Sequence, residues 1–217
     1  MTPWNCSQCG EDQIAFGHIP EDFLCHACHD AWRAATAFTE AGAGIPKLFR
    51  DLTRQSWSAC FQSPWPADLE SWTGTPTWVA LWGPTGTGKT GIATVLLAEH
   101  LRTGRRGHWI SGPELSRRLQ RDLAASEDVL APLLATPLLV LDEPLAGAAP
   151  VWYIERLVLI TRTRDESCLP TIVTNQLLPE LLRNPTAATP PPLLSRWLSG
   201  LHVRTHGTDV RLRNAHR

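Results

Sequence analysis

"GPTGTGKT", residues 83–90, decides the fold of this 217-residue chain. The stretch fits the pattern G-x-x-x-x-G-K-[ST], with Gly83, Gly88, Lys89 and Thr90 in the defined positions. An apolar run, "TWVALWG", precedes it, and a run with helical spacing, "KTGIATVLLAEHLRTG", follows it. A strand, a glycine-rich turn and a helix in this order form a phosphate-binding loop, because backbone amides and the helix N-terminus attract an anion. The sequence therefore predicts a nucleotide site at this turn.

The ligand expected in this loop is ATP with Mg²⁺. Lys89 is expected to reach the β- and γ-phosphates, and the Thr90 hydroxyl is expected to bind Mg²⁺. All eight loop residues are predicted to contact the nucleotide: Gly83, Pro84, Thr85, Gly86, Thr87, Gly88, Lys89 and Thr90.

Two acidic residues complete the predicted site. Asp142 and Glu143 end the apolar run "PLLVLDE", and ligands of parallel α/β sheets bind at the carboxyl ends of the strands. Both acids should therefore lie beside the phosphate loop. Asp142 is predicted to hold the Mg²⁺ shell, and Glu143 to orient and deprotonate the attacking water.

Strand-like and helix-like runs alternate from residue 78 to residue 175. This alternation predicts parallel strands with crossover helices, and the strands are rich enough in Val, Leu and Ile to be covered on both faces. The predicted fold class is α/β, a P-loop domain whose parallel sheet is flanked by helices. The length leaves room for one such domain and one small module. "RNPTAATPPP", residues 183–192, is predicted to be a loop, because proline fixes φ and lacks a donor.

A second class of ATPase has to be weighed, because "LVLDEPLAG" also looks like the corresponding element of ABC transporter ATPases. Those domains carry an LSGGQ-type helix before this strand, and "LSRRLQR", residues 115–121, does not replace it. The 53 residues from Lys89 to Asp142 are also few for ABC domains and ordinary for the AAA+ class. Both observations favour AAA+.

Five further segments follow the phosphate loop or precede it in a defined order and at defined spacing along the chain. They are "AGIPKLFRDLT" (43–53), "HWISGPELSRRL" (108–119), "LPTIVTNQ" (169–176), "LLSRWL" (193–198) and "VRTHGTDVR" (203–211). In this arrangement the sequence resembles AAA+ helicase loaders of the DnaC/DnaI type and the related transposition ATPase IstB. The resemblance covers residues 43–213, and it implies an AAA+ ATPase with little or no C-terminal lid.

The resemblance also implies roles for particular residues. Asn175 matches the sensor 1 position, where a polar side chain contacts the γ-phosphate or the water. Arg196 resembles the arginine finger, which acts in trans on the nucleotide of a neighbouring copy. The active form would then be a homo-oligomer, a ring or an open spiral, with ATP sites at its interfaces.

Other positions are carried over with less support from the residues themselves. Ile45, with the proline that follows it, is expected near the adenine. Arg164 is an interface or phosphate candidate, although Asp165 stands where the family has an aromatic residue. Arg204 and Arg211 are candidates for a second sensor.

The cysteines indicate a metal site near the N-terminus. Cys6, Cys9, Cys25 and Cys28 form C-x₂-C-x₁₅-C-x₂-C, the spacing of a zinc ribbon or finger whose thiolates surround Zn²⁺. "CHACH", residues 25–29, also has the spacing of a c-type haem attachment site, and disulfides are a further alternative. We favour zinc, with the option that a histidine at 18, 26 or 29 replaces one cysteine. Cys60 and Cys168 are expected to be buried thiols.

Charge divides the chain. Residues 1–44 hold six of the 21 acids and one of the 20 bases, so residues 45–217 hold 15 acids and 19 bases. We predict a zinc module over residues 1–40 and an AAA+ domain over residues 41–217. An acidic head suits a protein partner better than DNA, and the resemblance names that partner as the hexameric replicative helicase of the DnaB type.

Single-stranded DNA is expected on the AAA+ domain. The candidate contacts combine positive charge with aromatic faces. They are Arg117, Arg118, Arg121, Trp152 and Tyr153. With no apolar run of membrane length and no export signal, a cytoplasmic protein without membrane contact is expected.

The predicted function is ATP-dependent delivery of a replicative helicase onto DNA. Two alternatives stay open at this point. One is an IstB-like helper ATPase that acts on duplex DNA with a transposase, and the other is a zinc adaptor that binds nucleotide without turnover.

Overall fold

The computed structural model describes residues 2–5, 12–15, 39, 42–125, 130–145, 149–176, 191–207 and 209. The four predicted zinc ligands, the three neighbouring histidines and Arg211 lie outside these residues. Within the described ranges, no helix is long and apolar enough to cross a membrane.

A five-stranded parallel sheet carries the fold, in the order β4-β5-β6-β3-β7. Its strands are β3 (Trp78–Trp82), β4 (Gly107–Ser111), β5 (Leu138–Asp142), β6 (Thr171–Asn175) and β7 (Leu201–Arg204). A separate antiparallel pair joins β1 (Thr2–Asn5) and β2 (Asp12–Ala15). The predicted α/β fold with a parallel sheet is confirmed.

Helices cover both faces of the sheet. They are α1 (Arg54–Phe61), α2 (Lys89–Arg102), α3 (Gly112–Ala125), α4 (Leu130–Ala135), α5 (Val151–Glu166) and α6 (Pro191–Trp197). Short 3-10 turns occupy Lys47–Phe49 and Ala67–Leu69. One core lies between the sheet and α1 and α2, and a second lies between the sheet and α3 to α6. Because both faces are covered, the central strands have no polar face, as their sequences predicted.

The structure adds two elements that the sequence did not reveal. Helix α1 begins after Thr53, whose side chain accepts a hydrogen bond from the Ser56 backbone amide. In return, the Ser56 hydroxyl accepts a hydrogen bond from the Thr53 backbone amide. Strand β7 pairs with β3, the strand that leads into the phosphate loop. The loop predicted to extend to residue 192 ends earlier, because Pro191 and Pro192 begin α6. Proline is tolerated in a first helical turn, where the missing N–H has no intrahelical acceptor.

Two cysteines differ from expectation. Cys60 and Cys168 are both exposed free thiols, so the prediction that they are buried is wrong. Cys60 lies on the outer side of α1, and Cys168 follows α5 in a turn with φ 50°. Each thiol is exposed because of its backbone position, on the outer side of a helix or in a turn, although a cysteine side chain is often buried.

Arg164 of α5 is a buried structural residue and not an interface or phosphate residue. Its side chain is 0% exposed. The guanidinium donates to the carbonyls of Leu133 (2.8 Å), Thr136 (2.9 Å) and Pro170 (2.7 Å), and to the Thr171 hydroxyl (2.8 Å). Burial lowers the pKa of Arg164 to about 9, so the group remains charged at neutral pH. It ties the end of α4 to the start of β6.

We expect Arg164→Met to lower the free energy of unfolding by about 3 kcal/mol, because several buried carbonyls lose their donor at once. Urea unfolding followed by circular dichroism measures the change. Arg162→Met is the matched control, since Arg162 is exposed on the same helix and pairs with Glu166 at the surface. An equal loss in both variants would contradict the structural role of Arg164.

Candidate nucleotide site

The phosphate loop needs its glycines for conformation and for space. Gly83, Gly86 and Gly88 have φ of 142°, 74° and 92°, which disfavour any side chain. A Cβ on Gly83 would meet the Thr205 carbonyl, and one on Gly88 would lie 2.7 Å from the Trp57 indole nitrogen. The loop is therefore an all-backbone cradle of the kind that binds phosphate.

Lys89 is the cation of this cradle. It begins α2 and is 4% exposed. Its ammonium donates to the carbonyls of Gly83 (2.8 Å) and Pro84 (2.7 Å). The group is thus folded back over the loop, at the place where phosphate oxygens are expected.

Thr90 of the phosphate loop and Asp142 at the end of β5 are in direct contact. The Thr90 hydroxyl donates to Asp142 Oδ1 at 2.9 Å, and the Thr174 hydroxyl donates to the same oxygen at 2.8 Å. Burial raises the pKa of Asp142, and the two hydroxyls oppose the shift. A carboxylate and a hydroxyl side by side form a donor set that suits Mg²⁺, so these residues fit the ion that the motif implies.

Glu143 follows β5 in a left-handed conformation, with φ 48°. Such a backbone is uncommon for a residue other than glycine and costs about 1 kcal/mol or more. It is held from both sides: the Glu143 amide donates to the Thr174 hydroxyl at 2.9 Å, and its carbonyl touches Gly112, where a Cβ would collide. Gln176 donates to the Glu143 carboxylate at 3.3 Å. The structure therefore fixes the direction in which this carboxylate leaves the sheet.

Asn175 and Arg204 flank the last residue of β3 in register. Trp82 pairs with Asn175 on one side and with Arg204 on the other, and Gly83 donates to the Asn175 carbonyl at 3.3 Å. The Arg204 guanidinium lies 4.9 Å from the centre of the Trp82 ring. Both residues thus stand at the carboxyl end of the sheet beside the phosphate loop, where the predicted sensor 1 belongs.

The sequence did not reveal the residues that brace the loop from outside. The Trp57 indole, 2% exposed on α1, donates to the Gly88 carbonyl at 3.0 Å. The Thr205 and Thr87 hydroxyls share a hydrogen bond of 2.6 Å, and the Thr205 amide donates to the Trp82 carbonyl at 2.7 Å. The sequence shows a tryptophan in a capped helix and a threonine after a strand. Neither pattern indicates that the residue contacts the distant phosphate loop.

Ile45, expected near the adenine, is buried in the core beneath α2. The residues just before it run beside β4: the Trp109 amide donates to the Ala43 carbonyl at 2.6 Å, and Gly44 touches the Trp109 carbonyl. Strand β4 is the edge strand three positions from β3. The segment therefore extends the far edge of the sheet.

Arg196 lies far from the phosphate loop of its own chain. Its Nε donates to Asp165 Oδ2 at 3.2 Å, and the other oxygen of Asp165 accepts from the Trp78 indole at 2.9 Å. Trp78 begins β3, whereas the loop follows the last residue of that strand. Four residue steps of about 3.3 Å place the two ends roughly 13 Å apart. Arg196 and the phosphate loop therefore occupy opposite ends of one strand.

A basic pocket of about 410 Å³ opens between β4, α3 and α4. It is lined by His108, Glu114, Arg117, Arg118, Arg121, Pro132 and Leu133. Glu114 accepts from Arg117 and Arg118 at 2.8 and 2.7 Å, and no hydrogen bond of Arg121 occurs among the described residues. Burial lowers the pKa of His108 to about 4, so this histidine is neutral at pH 7. Three guanidiniums against one carboxylate leave the pocket positive.

The predicted pairing of Trp152 and Tyr153 as base-stacking faces is wrong for Tyr153. This side chain is buried, and its hydroxyl donates to the Pro144 carbonyl at 2.8 Å. Burial raises the pKa of the hydroxyl. Trp152 is half-buried, with its ring edge-on to Tyr153 at a centroid distance of 5.9 Å.

Comparisons with known proteins agree with this architecture. Residues 67–165 match the family model described as IstB-like ATP binding protein. The search of curated proteins finds no match.

Solved structures with the same fold include replication proteins. A structure of the DnaC helicase loader has a TM-score of 0.57 at 20% identity, covering 64% of this chain and 84% of that one. DnaI has a TM-score of 0.53 at 22% identity, with 62% and 73% covered. The replication initiator DnaA bound to AMPPCP and single-stranded DNA has a TM-score of 0.57 at 17% identity, with 79% and 50% covered.

The chain spans about half the length of the DnaA structures that it matches. At these identities the structural matches establish the fold. Residues 67–165 thus resemble the IstB-like ATP binding protein family, on a parallel α/β fold shared with DnaC, DnaI and DnaA.

Proposed function

We propose that this chain is an AAA+ ATPase that loads a replicative helicase of the DnaB type onto single-stranded DNA. One observation carries the ATPase part. The phosphate loop, Asp142 and Asn175 end three neighbouring strands, β3, β5 and β6, at the same edge of the sheet. A nucleotide bound there contacts all three, as expected for α/β ligand sites.

Each residue then has a distinct role. Lys89 and the loop amides hold the phosphates, and Asn175 contacts the γ-phosphate or the attacking water. Glu143 accepts the proton of that water, and its fixed backbone aims the carboxylate. Thr90 and Asp142 would hold Mg²⁺, which supplies positive charge to the phosphates when bound.

Arg196 completes the site of a neighbouring copy. Its position at the opposite end of β3 removes it from the site of its own chain. A guanidinium supplied in trans stabilises the charge that develops on the transferred phosphoryl group. The active form is a homo-oligomer in which each copy faces the next head to tail.

The basic pocket supports single-stranded DNA binding. Arg117, Arg118 and Arg121 provide charge for phosphates, and the exposed Pro132 provides apolar surface at the wall of the pocket. Glu114 pre-orients two of the guanidiniums. The DnaA structure that shares this fold was solved with single-stranded DNA, which fits the same class of ligand.

The helicase partner is proposed for the N-terminal module, residues 1–40. Cys6 and Cys9 lie in the chain segment that joins β1 to β2, and a cysteine pair between two strands is typical of zinc ribbons. With Cys25 and Cys28 they would give Zn²⁺ four thiolates. The acidic composition of this segment favours contact with protein over DNA.

Lys89→Ala tests the nucleotide site. We expect ATP affinity to fall about 100-fold, because the phosphates lose a charge-assisted hydrogen bond in a confined site. Calorimetric titration with a non-hydrolysable ATP analogue measures it. Lys47, the other lysine of the chain, is exposed, so Lys47→Ala is the matched control and should bind normally. Normal affinity in Lys89→Ala would contradict the site.

The transposition helper remains the second candidate, since the family model that matches residues 67–165 is the IstB-like one. Capture experiments with the full chain separate the two functions. A loader retains a DnaB-type hexamer and single-stranded DNA, whereas a transposition helper retains duplex DNA and a transposase. Zinc content and helicase capture are measured together in wild type and in the double variant Cys25→Ser, Cys28→Ser. Helicase capture that survives the loss of zinc would contradict the proposed docking module.

A further inference from the structure

The Asp165 carboxylate joins three elements near the N-terminal end of β3. It stands in the last turn of α5. One oxygen accepts from the indole of Trp78 (2.9 Å), and the other accepts from Nε of Arg196 (3.2 Å). Trp78 is 1% exposed and packed in the second core, so the first contact fixes the carboxylate to the rigid sheet. The second contact then transmits this rigidity to Arg196.

The guanidinium of Arg196 is held through two of its three nitrogens. Its Nε faces Asp165, and one Nη1 hydrogen reaches the Pro192 carbonyl at 3.1 Å. Among the described residues, Nη2 has no hydrogen-bond partner. The side chain is 30% exposed, so the free end can reach a second molecule. With Nε and Nη1 engaged inside the chain, the Nη2 end of the guanidinium is the part that can donate to a phosphate oxygen of a second molecule.

A contribution to folding stability does not by itself account for the contact between Asp165 and Arg196. Both partners are about one third exposed, and such ion pairs contribute little to stability. For comparison, Arg162 and Glu166 on the same helix form an ion pair whose side chains are 64% and 58% exposed. The Asp165 pair differs because it bridges α5, α6 and β3.

We propose that Asp165 is a positioning residue for Arg196, orienting its guanidinium toward the nucleotide of the neighbouring copy. This inference rests on the proposed function, in which Arg196 acts in trans. Asp165 itself touches neither nucleotide nor water. Its side chain limits the rotamers of a long, flexible arginine, so that less ordering is required at the interface when the neighbour docks.

Mixed oligomers test the proposal. A donor subunit, Lys89→Ala, supplies Arg196 but has no working nucleotide site. An acceptor subunit, Arg196→Ala, binds ATP but supplies no guanidinium. An equal mixture should recover about a quarter of wild-type turnover per subunit, because half of the sites bind ATP and half of those adjoin a donor.

Asp165→Asn is then placed in one subunit at a time. The amide oxygen can still accept from Trp78, but the amide has no charge to hold Arg196. In the donor, it should lower the turnover of the mixture about tenfold, since misplacing a catalytic group by about 1 Å can cost up to about 100-fold. In the acceptor, where the guanidinium is already absent, it should leave turnover unchanged. Glu166→Gln in the donor is the matched control and should have no effect.

The outcomes distinguish the trans role of Arg196 from the positioning role of Asp165. If donor and acceptor together are no more active than apart, the trans role of Arg196 fails, and with it the premise of the positioning role, while the nucleotide site itself is tested separately by Lys89→Ala. If they complement and Asp165→Asn in the donor has no effect, the positioning role alone is overturned. An equal loss from either subunit would also overturn it, because it would place the effect of Asp165 on folding or assembly. In otherwise wild-type protein, the variant should lower kcat with KM for ATP unchanged.

Discussion

Arg196→Ala should keep ATP affinity within about twofold of wild type while turnover falls about 1000-fold, the loss typical of removing an arginine finger. Binding survives because Arg196 lies at the far end of β3 from its own phosphate loop. Turnover falls because the neighbouring site loses the positive charge that its transition state requires. Titration with a fluorescent ATP analogue and phosphate release, both at concentrations where the oligomer forms, measure the two quantities.

Arg162→Ala is the control for this variant. Arg162 has the same charge, lies on α5, and pairs with a surface glutamate. It should bind and hydrolyse ATP as wild type does. Arg196→Ala with normal turnover would remove the reason to expect nucleotide sites at subunit interfaces.

Glu143→Gln should likewise bind ATP normally and lose about 1000-fold in turnover, since general-base catalysis contributes roughly 10² to 10⁴. The amide preserves the shape of the side chain and its contact with Gln176 but cannot take a proton from water. Trapped nucleotide is the distinguishing observation: ATP should remain uncleaved on the protein after separation from free nucleotide.

Glu155→Gln is the matched control for the glutamate, since Glu155 is exposed on α5. If Glu143→Gln turned over at the wild-type rate, the adaptor alternative would gain support, because a nucleotide used only as a structural ligand needs no base. A loss in both variants would point instead to a general effect on folding or assembly.

The parts that could be predicted from the sequence are those whose signal is local. The strand, glycine turn and helix of the phosphate loop are contiguous, and their residue types leave few alternatives. Asp142 and Glu143 could be placed because parallel topology brings strand ends to one edge. The contact between Thr90 and Asp142, 2.9 Å long, follows from these two facts together.

The parts that were missed depend on contacts between distant segments. The Trp57 indole binds Gly88, 31 residues away, and Thr205 binds Thr87, 118 residues away. Nothing near Trp57 or Thr205 distinguishes a residue that braces the loop from one that fills the core. The same holds for Thr174, whose hydroxyl joins Asp142 to the Glu143 amide.

The wrong predictions share one cause, which is that residue type was taken as a guide to exposure. Arg164 was expected to contact a neighbouring copy or a phosphate, yet five carbonyl and hydroxyl oxygens satisfy its guanidinium in the interior. Tyr153 was expected to offer a ring for stacking, yet its hydroxyl finds a buried carbonyl. A polar group can be buried when acceptors of the right geometry are waiting, and only the tertiary structure supplies them.

If Arg196 acts in trans as proposed, its separation from its own phosphate loop has a consequence for assemblies that do not close. In an open filament, the copy at one end has no neighbour to complete its nucleotide pocket. The copy at the other end has an Arg196 guanidinium with no neighbouring nucleotide pocket to contact. The two termini are chemically different, which gives the filament a polarity. Specific activity should therefore rise with filament length, and growth and disassembly should favour opposite ends.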